Sequence, residues 1–284
     1  MNNSRQKTGT LFVVATPIGN LQDITLRAIE TLKSVDFVAC EDTRVTGNLL
    51  KHLNIKKPLI SYFQHSELSK IDHIIDLLKK GNDIALVTDA GTPGISDPGQ
   101  ALIRRIRDLE KPKSQTPKQK ENQGSEFQSQ NKMIVISSEV EKSTISGSQI
   151  KSEDDNGGVK IPILPVPGPS AVAAIASISG MIEKEFYFAG FLPKKKGRQT
   201  TFKKLSALDC PIILYESANR LGKLLGEIKT YFGSNTEVFV GREMTKMFET
   251  YYFGTPDHII SELDKNTLKG EVSVVLKSEW LQRE

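Results

Sequence analysis

The chain of 284 residues is long enough for two domains, because one domain usually spans about 100 to 200 residues. Its formal charge of +4 is too small to establish a nucleic-acid partner, although basic residues concentrated on one surface would permit one. No apolar run approaches the roughly 20 residues that a membrane helix needs. No signal-peptide core follows the N-terminal tail at residues 1–9, so we expect a cytoplasmic protein.

Apolar runs rich in β-branched residues alternate with helical patterns along the first part of the chain, which predicts a mostly parallel α/β sheet with flanking helices. We assign this N-terminal α/β domain to residues 10–182. Ligand sites are expected in the loops beyond the carboxyl ends of its strands. The predicted strands lie in the runs TLFVVA, DFVACED, PLISYF, DIALVTD and KIPILPV.

Residues 110–158 interrupt this pattern. Lys, Glu, Ser, Gln and Asn dominate the segment, and it lacks the apolar content for a core. We expect a disordered insertion without chemistry, with a flexible RNA-contacting arm as the alternative.

A second α/β domain is predicted over residues 183–284. It contains five runs typical of strands with rather little helix between them, which predicts a mixed sheet. These runs are EFYFAGF, CPIILYES, TEVFVGRE, ETYYFG and EVSVVLK.

Two glycine-rich loops follow predicted strands, TPIGN at residues 16–20 and TDAGTPGISDPG at residues 88–99. Neither has the spacing of a P-loop or of a dinucleotide-binding turn, which disfavours a triphosphate or pyrophosphate ligand. Their bare backbone suits an uncharged or zwitterionic cofactor. An ordinary structural turn remains the alternative, because Gly and Pro are also the common turn residues.

Acidic residues also follow two predicted strands. Asp42, which precedes Arg44, and Asp89 could bind ligand hydroxyls or amines, or they could cap the next helix. We expect no metal site, because the four histidines have no ligand spacing and neither Cys40 nor Cys210 has a CxxC partner.

Basic residues concentrate in the run LPKKKGRQTTFKK at residues 192–204. Such a concentration would neutralise several RNA phosphates, although a solvated turn explains many charge runs. The run GREMTK at residues 241–246 places more charge at a strand end, either as a substrate site or as a surface ion-pair group.

Seven motifs occur together in one order: LFVVATPIGNLQDITLRAIETLKSVDFVACEDTR, IALVTDAGTPGISDPG, LPVPGPSAVAAIASISGM, FYFAGFLPKKKGR, ILYESANR, GREMTKMFET and KGEVSVVL. In order and in much of their spacing they resemble the ribosomal RNA small subunit methyltransferase I family, a branch of the tetrapyrrole methylase-like (class III) methyltransferases. The resemblance covers nearly the whole chain apart from the N-terminal tail and residues 110–158.

The resemblance implies a kidney-shaped pair of α/β domains, a homodimer and S-adenosyl-L-methionine in a cleft between the domains. It implies methylation of the 2′-hydroxyl of a cytidine in the decoding region of 16S ribosomal RNA within the small subunit. The residues that it places at the cofactor are Pro17, Gly19, Asn20, Asp89, Ala90, Gly91, Thr92, Pro167, Gly168, Pro169, Ser170, Tyr215, Glu216 and Met244.

A ribose hydroxyl needs a nearby base or a cation that favours its alkoxide, and Glu243 with Lys246 are our first candidates. The basic side chains expected to contact RNA are Arg44, Lys194, Lys195, Lys196, Arg198 and Arg220. Two other functions stay open. A methylase of a tetrapyrrole-type small molecule leaves the lysine run unexplained, and a non-catalytic RNA-binding assembly factor would take up no cofactor.

Overall fold

A computed structural model describes residues 7–62, 68–110, 160–263 and 269–277. The predicted insertion lies outside these residues, except for Glu110. None of the helices in the described ranges is both long and apolar enough to cross a membrane. The chain folds as two compact units, Met1–Ala15 with Thr25–Pro167, and Thr16–Ile24 with Gly168–Glu284.

The first unit contains a five-stranded sheet with the order β3-β2-β4-β1-β5. All four neighbouring pairs are parallel, as the alternation of strand and helix predicts. The strands are β1 (Leu11–Val14), β2 (Phe37–Cys40), β3 (Leu59–Ser61), β4 (Ile84–Leu86) and β5 (Ile163–Val166).

Four helices flank this sheet: α1 (Leu26–Ser34), α2 (Thr43–His52), α3 (Leu68–Lys79) and α4 (Gln100–Glu110). The apolar sides of α3 and α4 form one core with β1, β2 and β4, in which Ile74 and Leu102 are fully buried. The hydroxyl of Tyr62 accepts a hydrogen bond from the backbone N–H of Leu102 at 3.2 Å, so this buried polar group has a partner.

The second unit contains a mixed five-stranded sheet with the order β6-β7-β10-β8-β9. Only β6 and β7 pair in parallel, and the other three pairs are antiparallel. The strands are β6 (Tyr187–Phe191), β7 (Ile212–Ser217), β8 (Glu237–Arg242), β9 (Thr250–Gly254) and β10 (Glu271–Lys277). The predicted fold class, two α/β domains with one parallel and one mixed sheet, is confirmed.

The second unit holds more helix than the sequence suggested. Helices α6 (Arg198–Leu205), α7 (Leu221–Phe232) and α8 (Pro256–Glu262) pack a large apolar core on one face of its sheet. The expectation of little helix was therefore wrong. The sequence did contain a signal for α7, since Leu221, Leu224, Leu225 and Ile228 have the three-to-four spacing of a helix and are all fully buried.

Helix α5 (Ala171–Ser179) covers the other face of the second sheet and packs against β10. Its Ile175 joins a core cluster with Ile213 and Val275. Because of this packing α5 belongs to the second unit, so the second unit resumes at residue 168, whereas the sequence placed the domain boundary at residue 183.

Candidate functional site

Asp42 and Asp89 meet at the carboxyl ends of two neighbouring strands, β2 and β4. The backbone N–H of Asp42 donates a hydrogen bond to Asp89 Oδ1 at 3.0 Å. The Asp42 carboxylate accepts the backbone N–H of Arg44 at 2.8 Å and its Nη2 at 2.6 Å. The hydrogen bond from the Arg44 side chain lowers the pKa of Asp42 to about 2. Asp42 therefore caps α2, which is one of the two roles that the sequence left open.

The loop after β4 combines exposed polar groups with left-handed backbone. Asp89 and Ala90 are exposed, whereas Gly91 is buried with φ of +83°. A side chain at Gly91 would be strained, since left-handed backbone strongly favours glycine. Thr92 follows, and its carbonyl accepts the N–H of Ile95 at 3.2 Å. The loop therefore presents Asp89 and Ala90 at the surface, just before a turn over residues 92–95 that the Thr92 carbonyl closes.

The first glycine loop lies against the turn that follows β8. A Cβ added to Gly19 would be 2.4 Å from Lys246 Cγ and 2.8 Å from Thr245 Oγ1. Asn20 begins a short 3-10 turn, where its side-chain oxygen accepts the N–H of Gln22 at 3.0 Å. Pro17 is buried at the start of the loop. The structure thus brings a predicted cofactor residue next to a predicted catalytic residue within the second unit.

Glu243 and Lys246, the predicted catalytic pair, form an ion pair. Lys246 Nζ donates to Glu243 Oε1 at 2.9 Å, and the same oxygen accepts the backbone N–H of Glu271 at 3.0 Å. Lys246 Nζ also lies 3.5 Å from Glu271 Oε2. The ammonium is therefore held between two carboxylates, one from the turn and one from the start of β10.

The charges of this pair are stabilised in place. Burial alone would raise the pKa of Glu243, but hydrogen bonds from the Glu271 N–H and from Lys246 outweigh it and lower that pKa. Burial alone would lower the pKa of Lys246, but the hydrogen bond to Glu243 and the charge of Glu271 outweigh it and raise that pKa. Both groups are therefore ionised at neutral pH, and Lys246 is a hydrogen-bond donor there.

Backbone strain is concentrated in the same turn. Glu243 has φ of 51° and Thr245 has φ of 66°, a conformation that costs energy for any side chain and most for a β-branched one. Thr245 Oγ1 is buried and has no hydrogen-bond partner among the described residues. Such strain clusters at sites whose shape matters for function.

Met244, between these two residues, is almost completely buried in the cluster under α5. A Cβ on Gly241 would lie 2.8 Å from its Sδ. The predicted cofactor residue Met244 therefore also anchors the strained turn to the core.

The third predicted cofactor loop, residues 167–170, leads into α5. Pro167 and Gly168 are exposed, while Pro169 and Ser170 are partly buried. Ser170 is the N-cap residue, but its side chain makes no capping hydrogen bond. Because the first N–H groups of a helix lack partners within the helix, this end of α5 is rich in donors.

Tyr215 and Glu216, predicted together at the cofactor, point to opposite faces of β7. Tyr215 contacts Phe188 and Phe191, whereas Glu216 is fully buried on the side of α6 and α7. Glu216 Oε2 accepts from Arg198 Nη1 at 3.2 Å, and Oε1 accepts from Arg220. The alternation of side chains along a strand separates the two predictions, and Glu216 belongs to an ion network.

Arg198 is the centre of that network and is only 4% exposed. Its guanidinium donates to Glu227 Oε2 at 2.7 Å and to the carbonyl of Pro193 at 3.1 Å. The ion pairs leave Arg198 almost no surface for an RNA phosphate, which corrects the role that the charge run suggested. The neighbouring Lys194, Lys195 and Lys196 are exposed, as is Arg44 in the first unit.

Comparison with known proteins identifies the same family that the seven sequence motifs resemble. Several proteins named "Ribosomal RNA small subunit methyltransferase I" match over 93% to 97% of this chain and over 76% to 98% of their own length. The one from Mycoplasmopsis pulmonis is 40% identical over 266 residues, which are 93% of this chain and 96% of that protein. The one from Hydrogenobaculum sp. is 39% identical, covering 95% and 96%. This chain belongs to the ribosomal RNA small subunit methyltransferase I family.

Comparisons at lower sequence identity agree with the α/β fold of this member of the ribosomal RNA small subunit methyltransferase I family. The family model "Tetrapyrrole (Corrin/Porphyrin) Methylases" matches residues 10–112. The X-ray structure of cobalt precorrin-4 methyltransferase, a cobalamin biosynthetic enzyme, superposes with a TM-score of 0.57 at 15% identity, covering 97% of this chain and 96% of that one. Uroporphyrin-III-C-methyltransferase from Thermus thermophilus gives 0.55 at 16% identity, with 96% of each chain covered.

Three residues that the structure places in or near the candidate site were not predicted from the sequence. Glu227 binds Arg198 from α7, and nothing in the sequence indicates that partner. Thr245 is part of the GREMTK run, but nothing in the sequence indicates its strained backbone or its buried hydroxyl. Phe191 is exposed directly before the lysine run, and an aromatic residue next to clustered lysines was a signal for RNA contact.

Proposed function

We propose that this protein transfers a methyl group from S-adenosyl-L-methionine to the ribose 2′-hydroxyl of a cytidine in the decoding region of 16S ribosomal RNA. The observation that carries the proposal is the 40% identity over nearly full length to a protein named "Ribosomal RNA small subunit methyltransferase I". The cytidine, the 2′-hydroxyl and the decoding region come from the motif resemblance.

The residues at the glycine-rich loops fit a zwitterionic cofactor. Asp89 offers an exposed carboxylate for an amine or hydroxyls, and Gly91 brings bare backbone beside it. The start of α5, where Ser170 makes no side-chain cap, offers backbone N–H donors for a carboxylate. When bound, S-adenosyl-L-methionine supplies an electrophilic methyl group on a sulfonium.

Lys246 is the residue that we propose to favour the alkoxide form of the attacking hydroxyl, whose proton passes to solvent water. Its raised pKa keeps it protonated, so it acts as a positive charge and a donor rather than as a base. Glu243 holds the ammonium in position, and its lowered pKa makes it a weak base. The strained backbone around Thr245 fixes the turn in one shape before the substrate arrives.

The exposed Lys194, Lys195 and Lys196 are proposed to bind the RNA backbone, with the exposed Arg44 as a further contact. Arg220 is kept as a contact because its side chain stays 25% exposed despite its ion pair with Glu216. Arg198 is left out of this set because its guanidinium is buried in ion pairs. We propose a homodimer, as the resemblance implies, and light scattering in solution tests it.

One assay tests the proposed reaction. The protein is incubated with labelled S-adenosyl-L-methionine and immature 30S particles, and the RNA is digested to locate the modified nucleoside. A 2′-O-methylated cytidine from the decoding region is expected. Label in an added tetrapyrrole instead of RNA, or RNA binding without any label transfer, would each replace the proposal with another function.

A further inference from the structure

A bulge in β6 determines where the side chain of Phe191 points. Phe188 pairs with Ile213 of β7, but the next pair is Gly190 with Leu214, so Ala189 is one extra residue in β6. In a regular strand, residues 188 and 191 would lie on opposite faces, because side chains alternate. The extra residue places Phe191 opposite Tyr215, on the same face as Phe188.

The Phe191 ring is supported by other aromatic side chains and yet remains exposed. Tyr215 lies between the two phenylalanines, with ring centroids 5.0 Å from Phe188 and 5.4 Å from Phe191, both in edge-to-face geometry. Phe191 nevertheless exposes 53% of its surface. An aromatic ring held by its neighbours loses little conformational freedom when a flat partner stacks on it.

Positive charge follows this ring directly in the chain. Lys194, Lys195 and Lys196 come three to five residues after Phe191, and all three are exposed. The loop that carries them is fixed at Pro193, whose carbonyl accepts from the buried guanidinium of Arg198. An exposed aromatic ring beside lysines on an anchored loop is the combination by which proteins bind single-stranded nucleic acid, with bases on the ring and phosphates at the lysines.

We propose that Phe191 is a stacking platform for an unpaired base of the RNA substrate, beside the phosphate contacts of Lys194 to Lys196. This inference deepens the proposed function and rests on it, since it assigns a base subsite to the same RNA. The platform reads the flat surface of a base rather than its edge, so it accepts any base and contributes affinity and position instead of sequence discrimination.

The test measures binding of a short fluorescent oligocytidine, and of the same strand with abasic ribose at every position, by fluorescence anisotropy. Phe191→Ala is compared with the wild type, with Phe191→Trp and with Phe253→Ala. Phe253 is the matched control: it is a phenylalanine of the same unit, 55% exposed, on β9. Light scattering follows the oligomeric state of each variant.

We expect Phe191→Ala to weaken binding of the oligocytidine on the order of ten-fold, while Phe191→Trp retains it and Phe253→Ala changes nothing. On the abasic strand all four proteins should bind equally, because only the bases stack. Equal binding of Phe191→Ala and wild type to oligocytidine would overturn the inference. An equal loss on both strands, or a change of oligomeric state in Phe191→Ala, would overturn it as well, the latter by showing that a second copy covers the ring.

The wild-type methylation assay separates this result from the proposed function. If the wild type methylates 30S particles while Phe191→Ala binds oligocytidine normally, the platform is wrong and the proposed function stands. If the wild type transfers no label, the proposed function fails, whatever the anisotropy shows.

Discussion

Glu216 and Arg198 form an ion pair at 3.2 Å in which neither side chain is more than 5% exposed. Removing one member of a buried pair leaves the other charge buried without a partner. The free-energy cost of that unpaired charge is larger than the net stability that the intact pair provides. Arg198→Met should therefore lower the free energy of unfolding by about 3 kcal/mol, measured by urea denaturation. Lys195→Met, which removes an exposed charge from the loop just before α6, should change the free energy of unfolding by less than about 0.5 kcal/mol. Equal midpoints for Arg198→Met and wild type would show that the network contributes little.

The three lysines before α6 should determine how RNA binding depends on salt. Each lysine that neutralises a phosphate releases counterions, so replacing Lys194, Lys195 and Lys196 by alanine should weaken RNA binding and reduce the slope of log affinity against log salt by about 0.7 per lost contact on single strands. Lys229→Ala, which removes an exposed lysine paired with Asp257, is the control. A slope that the triple substitution leaves unchanged would remove these lysines from the RNA site.

Gly19→Ala should impair methyl transfer without unfolding the protein. The added methyl group would lie 2.4 Å from Lys246 Cγ, 2.8 Å from Thr245 Oγ1 and 3.1 Å from the Met244 carbonyl oxygen, so the Lys246 and Thr245 side chains must move. Displacements on this scale in an active site lower rates by on the order of ten-fold or more, measured here in single-turnover methylation.

The matched control for that substitution is Gly222→Ala. Gly222 lies in α7, where an added Cβ meets nothing within 4 Å. Alanine there should keep the rate and stabilise the helix by about 0.5 to 1 kcal/mol. If both variants methylated at the wild-type rate, the packing of Gly19 on the turn would have no catalytic importance.

Lys246→Ala should lower the single-turnover rate by on the order of a hundred-fold, because the variant loses the donor proposed to stabilise the alkoxide. Glu243→Gln should cost less, since glutamine can still accept the Glu271 N–H that Glu243 Oε1 accepts now. The order of the two effects is the informative result. A larger loss in Glu243→Gln would instead identify Glu243 as the base, and wild-type rates in both variants would exclude the pair.

Glu243 should also contribute to acid sensitivity. Its pKa is lowered in the folded protein from an ordinary value of 4.5. Its stabilising contribution is therefore complete above that value and is lost as pH falls through the lower folded-state pKa. As pH falls below 4.5, Glu243→Gln should lose less stability than the wild type, as followed by urea denaturation at each pH. Parallel losses in both proteins would mean that other carboxylates dominate.

The positions of the ten strands within the described residues could be predicted from the sequence, because apolar β-branched runs between turn residues are a local signal. The packing of Gly19 against Lys246 could not, since more than two hundred residues separate them and no periodicity records the approach. The burial of Arg198 could not be predicted either. An arginine in a run of lysines is expected at the surface, and its partner Glu227 lies on another helix, which the sequence does not indicate. Local patterns therefore predict elements and loops, whereas pairing between distant residues decides which charges remain free.

The bulge at Ala189 means that simple alternation along β6 does not give the exposed face of Phe191. Deletion of Ala189 would leave Phe191 two positions after Phe188 and still opposite Tyr215, because the bulge carries the one extra residue. If the same residues paired without a bulge, Phe191 would instead turn toward the side of the sheet that α6 and α7 cover. A change that abolishes the bulge while Ala189 stays would therefore hide the ring that we propose for RNA, although every aromatic residue and every lysine of the chain is kept.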